Sequence, residues 1–183
     1  MDYTYTPVLS VIIPELVQDE ESDFTVTVTD YGTGEVLEDY TVSAYYDNEL
    51  LSSETTDEDG MCTFTLTPSE GGYHTISVEF EAQDDYEAVT NYDEVNVINK
   101  GILTATYWHI GSESLTGKVT DNDNNPVEGV EIIGTHLRQT IVGISDSEGE
   151  FDLGMFGKGI TGDITVKANK EEYKFDDVVI HNG

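Results

Sequence analysis

The chain has 183 residues, 37% of them hydrophobic, and its 38 acidic side chains against 7 basic ones give a net charge of −31 at pH 7. A surface this negative repels phosphate backbones and anionic bilayers, so nucleic acid and membrane insertion are set aside. The longest apolar run, Val8 to Ile13, is far short of the roughly 20 residues a spanning helix needs, and the lone Cys62 excludes an internal disulfide framework or a cysteine zinc site.

In chain order, the opening Met1 to Pro7 carries no Lys or Arg and lacks the apolar stretch of a secretory signal. Alternation of period two then begins. Phe24, Val26 and Val28 point one way and Thr25, Thr27 and Thr29 the other. The pattern returns in Tyr40, Val42, Ala44 and Tyr46, in Cys62, Phe64 and Leu66, and in Ile76, Val78 and Phe80. It continues in Leu115, Gly117 and Val119, in Val130 and Ile132, in Phe151 and Leu153, and in Ile164, Val166 and Ala168. Such β-branched and aromatic runs predict strands with one buried face. Turn formers separate them, among them Tyr31-Gly32-Thr33-Gly34, Asp57-Glu58-Asp59-Gly60, Asp121 to Pro126 and Ser147-Glu148-Gly149. No stretch has a helical period. The fold class is all-β.

The two halves share a skeleton. Val28-Thr29-Asp30 matches Val119-Thr120-Asp121, Val36 to Val42 matches Pro126 to Ile132, and Ile76-Ser77-Val78 with Tyr86 matches Ile164-Thr165-Val166 with Tyr173. Thr56-Asp57-x-x-Gly60-x-Cys62-x-Phe64 matches Ser145-Asp146-x-x-Gly149-x-Phe151-x-Leu153. Four matches in one order predict two tandem sandwiches of about seven strands each, 1–99 and 112–183. Residues 100–111 are an apolar connector or strand.

These residues carry a resemblance. Leu115 to Asp121, Asn125 to Ile132, Ser145 to Phe151 and Ile164 to Ala168 resemble a carboxypeptidase regulatory-like domain, a transthyretin-like sandwich. Thr33 to Leu37, Thr56 to Gly60 and Gly72 to Val78 resemble the bacterial and archaeal immunoglobulin-like domains of surface adhesins and phage virions. Tyr73 takes the place of a tyrosine corner. Both resemblances imply non-catalytic display, spacing or adhesion, and neither transfers a catalytic residue.

The acidic excess is uneven. Residues 1–100 hold 24 acids and the single base Lys100, a net −23, while residues 101–183 hold 14 acids and 6 bases, a net −8. Either the carboxylates form a solvating coat, or some converge on calcium, which takes oxygen ligands. The calcium candidates are Asp57, Asp59, Asp121 and Asp123, with Asp84 and Asp85 beside them. The competing reading is turn chemistry, since Asp can bond its own backbone two residues on. Asp121-x-Asp123-x-Asn125 opens like an EF-hand loop but has Pro126 in place of its Gly and Ile132 in place of its Glu.

His74, His109, His136 and His181 show neither a nucleophile partner nor metal-ligand spacing, and Cys62 reads as a buried, inert thiol. Binding candidates are aromatic. Tyr45 and Tyr46 point to opposite faces, and Tyr31, Tyr86, Tyr92 and Tyr107 lie near turns, where exposed rings anchor protein or stack on sugar. Trp108 and Tyr107 in the apolar segment 102–110 are candidates for a contact between modules or subunits.

The expectation is a non-enzymatic structural and interaction protein acting outside the cell. It has no catalytic residues and no cofactor beyond a possible calcium ion. Its expected setting is the virion surface, as a tail, fibre or capsid-decorating protein that reaches its site without the secretion machinery. A fragment of a prokaryotic cell-surface adhesin is the alternative, and a carbohydrate-binding module a further one. Partners are other protein subunits or a host-surface glycan or protein, with unpaired strand edges as a route to self-assembly.

Overall fold

The run Ser22–Asp30 forms β3 because Phe24, Val26 and Val28 leave water together while the threonines between them stay half exposed. In the computed structural model, which describes residues 4–108, 114–157 and 160–181, β3 lies between β1 (Pro7–Ile12) and β6 (Met61–Leu66), antiparallel to both. The register sets Phe24 opposite Phe64 and Val26 opposite Cys62, and the two phenyl rings stack at 5.3 Å. A second sheet runs in the order β5–β4–β7–β8, from β4 (Thr41–Tyr46), β5 (Glu49–Thr55), β7 (Gly72–Phe80) and the Val89–Val97 stretch of β8 (Val89–Trp108). Val42, Ala44, Ile76, Val78 and Phe80 on its inner face join Phe24, Val26 and Phe64 in one core. The two-residue β2 (Leu16–Val17) is buried and pairs with β8.

The chain divides into two compact units, Met1–Val97 and Ile98–Gly183, and the division falls inside β8. In the second unit β9 (Ser114–Asp121) lies between β12 (Glu150–Asp152) and the Gly101–Trp108 stretch of β8. Its other sheet takes the order β11–β10–β13–β15, from β10 (Glu131–His136), β11 (Gln139–Ile144), β13 (Ile164–Asn169) and β15 (Val178–Ile180). A short β14 (Tyr173–Phe175) pairs with β8 in parallel at Asn99, Lys100 and Gly101. Leu115, Val119, Ile132, Phe151, Ile164 and Val166 form this unit's core. The described part of segment 100–111 is therefore strand, and it pairs within the second unit.

The units repeat each other in strand order: β3 and β9 centre the smaller sheet, β6 and β12 edge it, and β4, β5, β7 correspond to β10, β11, β13. They also repeat in hydrogen bonds. The Thr56 hydroxyl donates to the Leu37 carbonyl at 2.6 Å and accepts the Tyr40 N–H at 3.0 Å. The Ser145 hydroxyl donates to the Val127 carbonyl at 2.7 Å and accepts the Val130 N–H at 3.0 Å. Both hydroxyls are buried, and each ties a loop to the strand that follows it. The next turn repeats too, for the Gly60 carbonyl accepts Val28 N–H and the Gly149 carbonyl accepts Val119 N–H, each at 2.8 Å. Both glycines have positive φ, 69° and 72°. A Cβ there would meet the Val28 carbonyl oxygen at 2.8 Å and the Val119 carbonyl oxygen at 2.3 Å. Only glycine lets backbone approach backbone so closely.

Tyr73 corrects an expectation. It is 74% exposed, because it shares the outward phase of β7 with Thr75 and Ser77, while Ile76, Val78 and Phe80 take the inward phase. It is not a tyrosine corner.

Two substitutions separate conformation from crowding at these turns. Gly149→Ala meets both a left-handed backbone and a carbonyl oxygen, whereas Gly154→Ala meets a left-handed backbone (φ 74°) in open space. Urea denaturation should show a loss of about 1 kcal/mol for Gly154→Ala and at least about 3 kcal/mol for Gly149→Ala. Ser145→Ala, which leaves the Val127 carbonyl and Val130 N–H without their hydroxyl, should cost about 2 kcal/mol.

Candidate functional site

The acidic turns use their carboxylates on their own backbone. Asp57 Oδ1 accepts the N–H of Asp59 at 3.0 Å and of Met61 at 2.9 Å. Asp146 Oδ1 does the same for Glu148 and Glu150, at 3.0 and 2.8 Å. At the end of β9, Asp121 Oδ1 accepts the N–H of Asp123 at 2.9 Å and of Asn125 at 2.8 Å, and Oδ2 takes the Asn125 side-chain amide. Asp30 holds the matching place after β3. The Thr33 amide, foremost among its donors, keeps its carboxyl below the ordinary aspartate value.

Of the calcium candidates, then, Asp57 and Asp121 accept turn amides, and Asp59 and Asp123 supply them. The two pairs belong to different units, and among the described residues no group of three or more His, Cys, Asp or Glu side chains is placed to hold a metal. Asp84 stands against Tyr40, whose hydroxyl is pushed above its usual range first by burial and then by the Asp84 charge.

No described histidine is set beside a nucleophile. His74 Nδ1 lies 2.6 Å from Asp47 Oδ2, buried His136 turns Nδ1 to the Asp163 carbonyl at 3.1 Å, and His181 Nδ1 lies 3.0 Å from Asp163 Oδ1. His109 lies outside the described residues. Cys62 is buried, and burial pushes its thiol up to about 11, so at neutral pH it is protonated and unreactive.

The aromatic candidates separate. Tyr107 is 7% exposed, packed near Phe156 in the second unit's core, and its hydroxyl donates to the Gly157 carbonyl at 3.4 Å. It is a core residue and not an exposed anchor, because it falls on the inward phase of β8 with Leu103. Trp108 ends β8, and its side chain lies outside the described residues. Tyr86 reaches inward, donating to Asp30 Oδ2 at 3.1 Å and packing edge-on against Tyr40 at 5.4 Å.

Tyr45 has a different setting. Leu50 on β5, Tyr45 on β4, Ser77 on β7 and Tyr92 on β8 stand in one cross-strand row on the outer face of the first unit's larger sheet. Leu50 is 58% and Tyr92 67% exposed, while Ser77, flanked in register by Tyr45 and Tyr92, is only 6% exposed. The Tyr45 hydroxyl bonds to Glu79 of the neighbouring strand, which holds it above its usual pKa. Tyr73 lies further along the same face of β7. The row joins two rings and an aliphatic side chain across four strands, rimmed by carboxylates. The sequence names Tyr45 and Tyr92 but cannot show that they share a row with Leu50, since that depends on the register of four strands.

On the inner face, Tyr46 stacks on His74 at 5.0 Å, and Asp47 clamps the turn by accepting the Thr75 N–H at 2.9 Å. Its bond to His74, then the Thr75 amide, hold the Asp47 carboxyl below its ordinary value. The Tyr46 hydroxyl is buried without a hydrogen-bond partner among the described residues.

No family model matches the sequence, and no curated protein sequence does. Solved structures do match in fold. The C-terminal 282-residue fragment of intimin, in complex with the intimin-binding domain of the translocated intimin receptor, aligns with 96% of this chain and 63% of its own length, with a TM-score of 0.58 and 14% identity. The chain thus spans less than two thirds of that fragment. FdeC, an Escherichia coli adhesin, aligns with 96% of the chain and 63% of its own length at a TM-score of 0.47 and 18% identity. Invasin, a bacterial integrin-binding protein, aligns with 96% and 39% at 0.40 and 18%. The last two superpositions are too loose to argue from. At such identities the likeness is one of fold alone: immunoglobulin-like β-sandwiches. Nothing among these structures reproduces the carboxypeptidase regulatory-like resemblance of the second module.

Burial, then the charges of Asp47 and Glu70, push Tyr46 up to about 12. A folded value above the unfolded one near 10 means that the neutral ring stabilises the fold fully below about pH 10, and that this contribution is lost as pH rises towards about 12. Tyr46→Phe should therefore shrink the alkaline loss of stability seen by urea denaturation. At neutral pH it should leave stability unchanged or raise it by about 1 kcal/mol, since an orphan hydroxyl is removed.

Proposed function

We propose that this chain is a non-enzymatic adhesin-like module, displayed on a prokaryotic cell surface, that binds a protein on another cell. The observation that carries the reading is the Leu50–Tyr45–Ser77–Tyr92 row on a rigid sheet face. Rings held on strands give contact area at low entropic cost, and tyrosine is enriched where interfaces concentrate their energy. The fold likeness to intimin, a structure solved with a receptor domain bound, supports a protein partner over a catalytic role. So do the turn carboxylates, which are spent on backbone amides, and the buried thiol. The virion setting expected from the sequence draws no support from these structures, and the cell-surface alternative takes its place.

The same row offers ring faces to sugars, so the test has to separate the two ligands. Beads coated with the full chain are applied to a panel of intact cells, before and after surface protease or glycosidase treatment. Adhesion should fall on protease treatment, survive glycosidase, and drop at least about tenfold for Tyr45→Ser with Tyr92→Ser, equivalent to losing about 1.4 kcal/mol per contact site. Tyr31→Ser, at a 79% exposed ring in the loop after β3, should leave it unchanged. Adhesion lost with glycosidase alone would move the assignment to a carbohydrate-binding module, and adhesion indifferent to the tyrosine pair would remove the row from the account.

A further inference from the structure

Among the described residues the second unit has one long open edge. Of its terminal strands, β12, β14 and β15 have three residues each, whereas β11 has six, Gln139–Ile144, and none is charged. Its counterpart in the first unit, β5, carries Glu49 and Glu54, the usual protection of an edge. On β11, Val142 and Ile144 are instead 57% and 68% exposed.

The turn leading into β11 differs from its counterpart as well. Between β4 and β5 stand Asp47 and Asn48, with φ of 48° and 69°, the residue types that tolerate left-handed backbone. Between β10 and β11 stand Leu137 and Arg138. Leu137 takes a φ of 52° and is 84% exposed. A leucine forced into that conformation and left in water is strained without any return inside its own fold, and such positions are concentrated where proteins bind. Arg138 is the only arginine of the chain.

The other end of the strand is the complement of this tip. An open trough of about 580 Å³ is lined by Ile144, Phe151, Asp146, Glu150 and Asp152. One edge strand thus has an apolar, cationic tip and an apolar, anionic trough. Antiparallel pairing about a two-fold axis brings the tip of each copy to the trough of the other, as an isologous interface requires. Side chains alternate faces, so Val142 and Ile144 of both copies share a face only in registers centred on a residue. Centred on Val142, Arg138 of one copy stands opposite Asp146 of the other, and Thr140 opposite Ile144.

We infer that the chain forms a two-fold homodimer by antiparallel pairing of β11 edges, with Leu137 and Arg138 of each copy seated in the Ile144–Glu150 trough of the other. The net charge opposes any encounter of two copies, but at physiological ionic strength the Debye length is about 8 Å, so distant charges are damped while contacts across the edge remain.

Analytical ultracentrifugation of the full chain, from micromolar to near-millimolar concentration at that ionic strength, tests the dimer. The wild type should show a monomer–dimer equilibrium. Arg138→Glu and Glu150→Lys should each weaken it at least about tenfold, since each sets like charges against one another twice. Mixed in equal amounts, the two variants should dimerise with each other more strongly than either does alone, because the mixed pair restores an opposite-charge contact between positions 138 and 150 at both ends. Val142→Lys, on the exposed face of the edge, should abolish dimer alone, with circular dichroism unchanged. A chain that stays monomeric throughout overturns the inference. So does a dimer indifferent to these substitutions, or a mixture no better than its components.

Discussion

A buried hydroxyl that bonds two backbone groups at once is the constraint on which each unit depends. Thr56 and Ser145 follow the larger sheet's edge strand and hold the loop that crosses from one sheet to the other. A crossing loop necessarily carries peptide groups away from a ladder, and the buried ones must find partners or destabilise the fold. One small side chain, with a donor and an acceptor, satisfies a carbonyl and an N–H from residues lying three apart. The glycine turn that follows returns the chain to the smaller sheet, and its carbonyl closes on β3 or β9. That both units use the same set of bonds means the acidic turns are part of the framework.

The framework frees the outer faces. With the core and crossings fixed by inward residues and turns, the outward phase of the larger sheet can vary without disturbing the fold. In the first unit that phase has become aromatic, with Tyr45, Tyr92 and Tyr73. The small Ser77 keeps the surface low between the first two. On the inner phase of the same strands, Tyr46 and His74 stack at the rim of the core. Adjacent tyrosines therefore do opposite work, one closing the sandwich end and the other facing out.

The strand content and the repeat were legible because they depend on local rules. Period-two alternation marks β3, β6, β7 and β9, and the Asp-x-x-Gly units mark the turns, since both patterns are set by the nearest few residues. What was not legible depends on partners far along the chain. The start of β8, with Asn91 and Asp93 on its half-buried phase, carries too little apolar signal to be read as a strand, yet β7 pairs with it over nine residues. Tyr73 was misplaced by its phase. Tyr107 reads in sequence as a ring near a turn, but its phase on β8 places it in a core. The candidate row rests on the register of four strands, and no local pattern in Leu50 or Tyr92 records it.

Charge completes the account of which surfaces can meet others. A body of −31 has its carboxylates spread over turns, loops and outward strand positions, so nearly every face repels a second copy or an acidic partner. The coat also guards edges, as Glu49 and Glu54 do on β5. Against that background an uncharged stretch is a departure that has to be explained, and β11 is such a stretch, in the unit that holds all seven basic residues. Two surfaces with different rules result. The outer face of the first unit presents rings within a negative rim, suited to a partner that brings complementary charge. The edge of the second carries both signs, so it can satisfy itself.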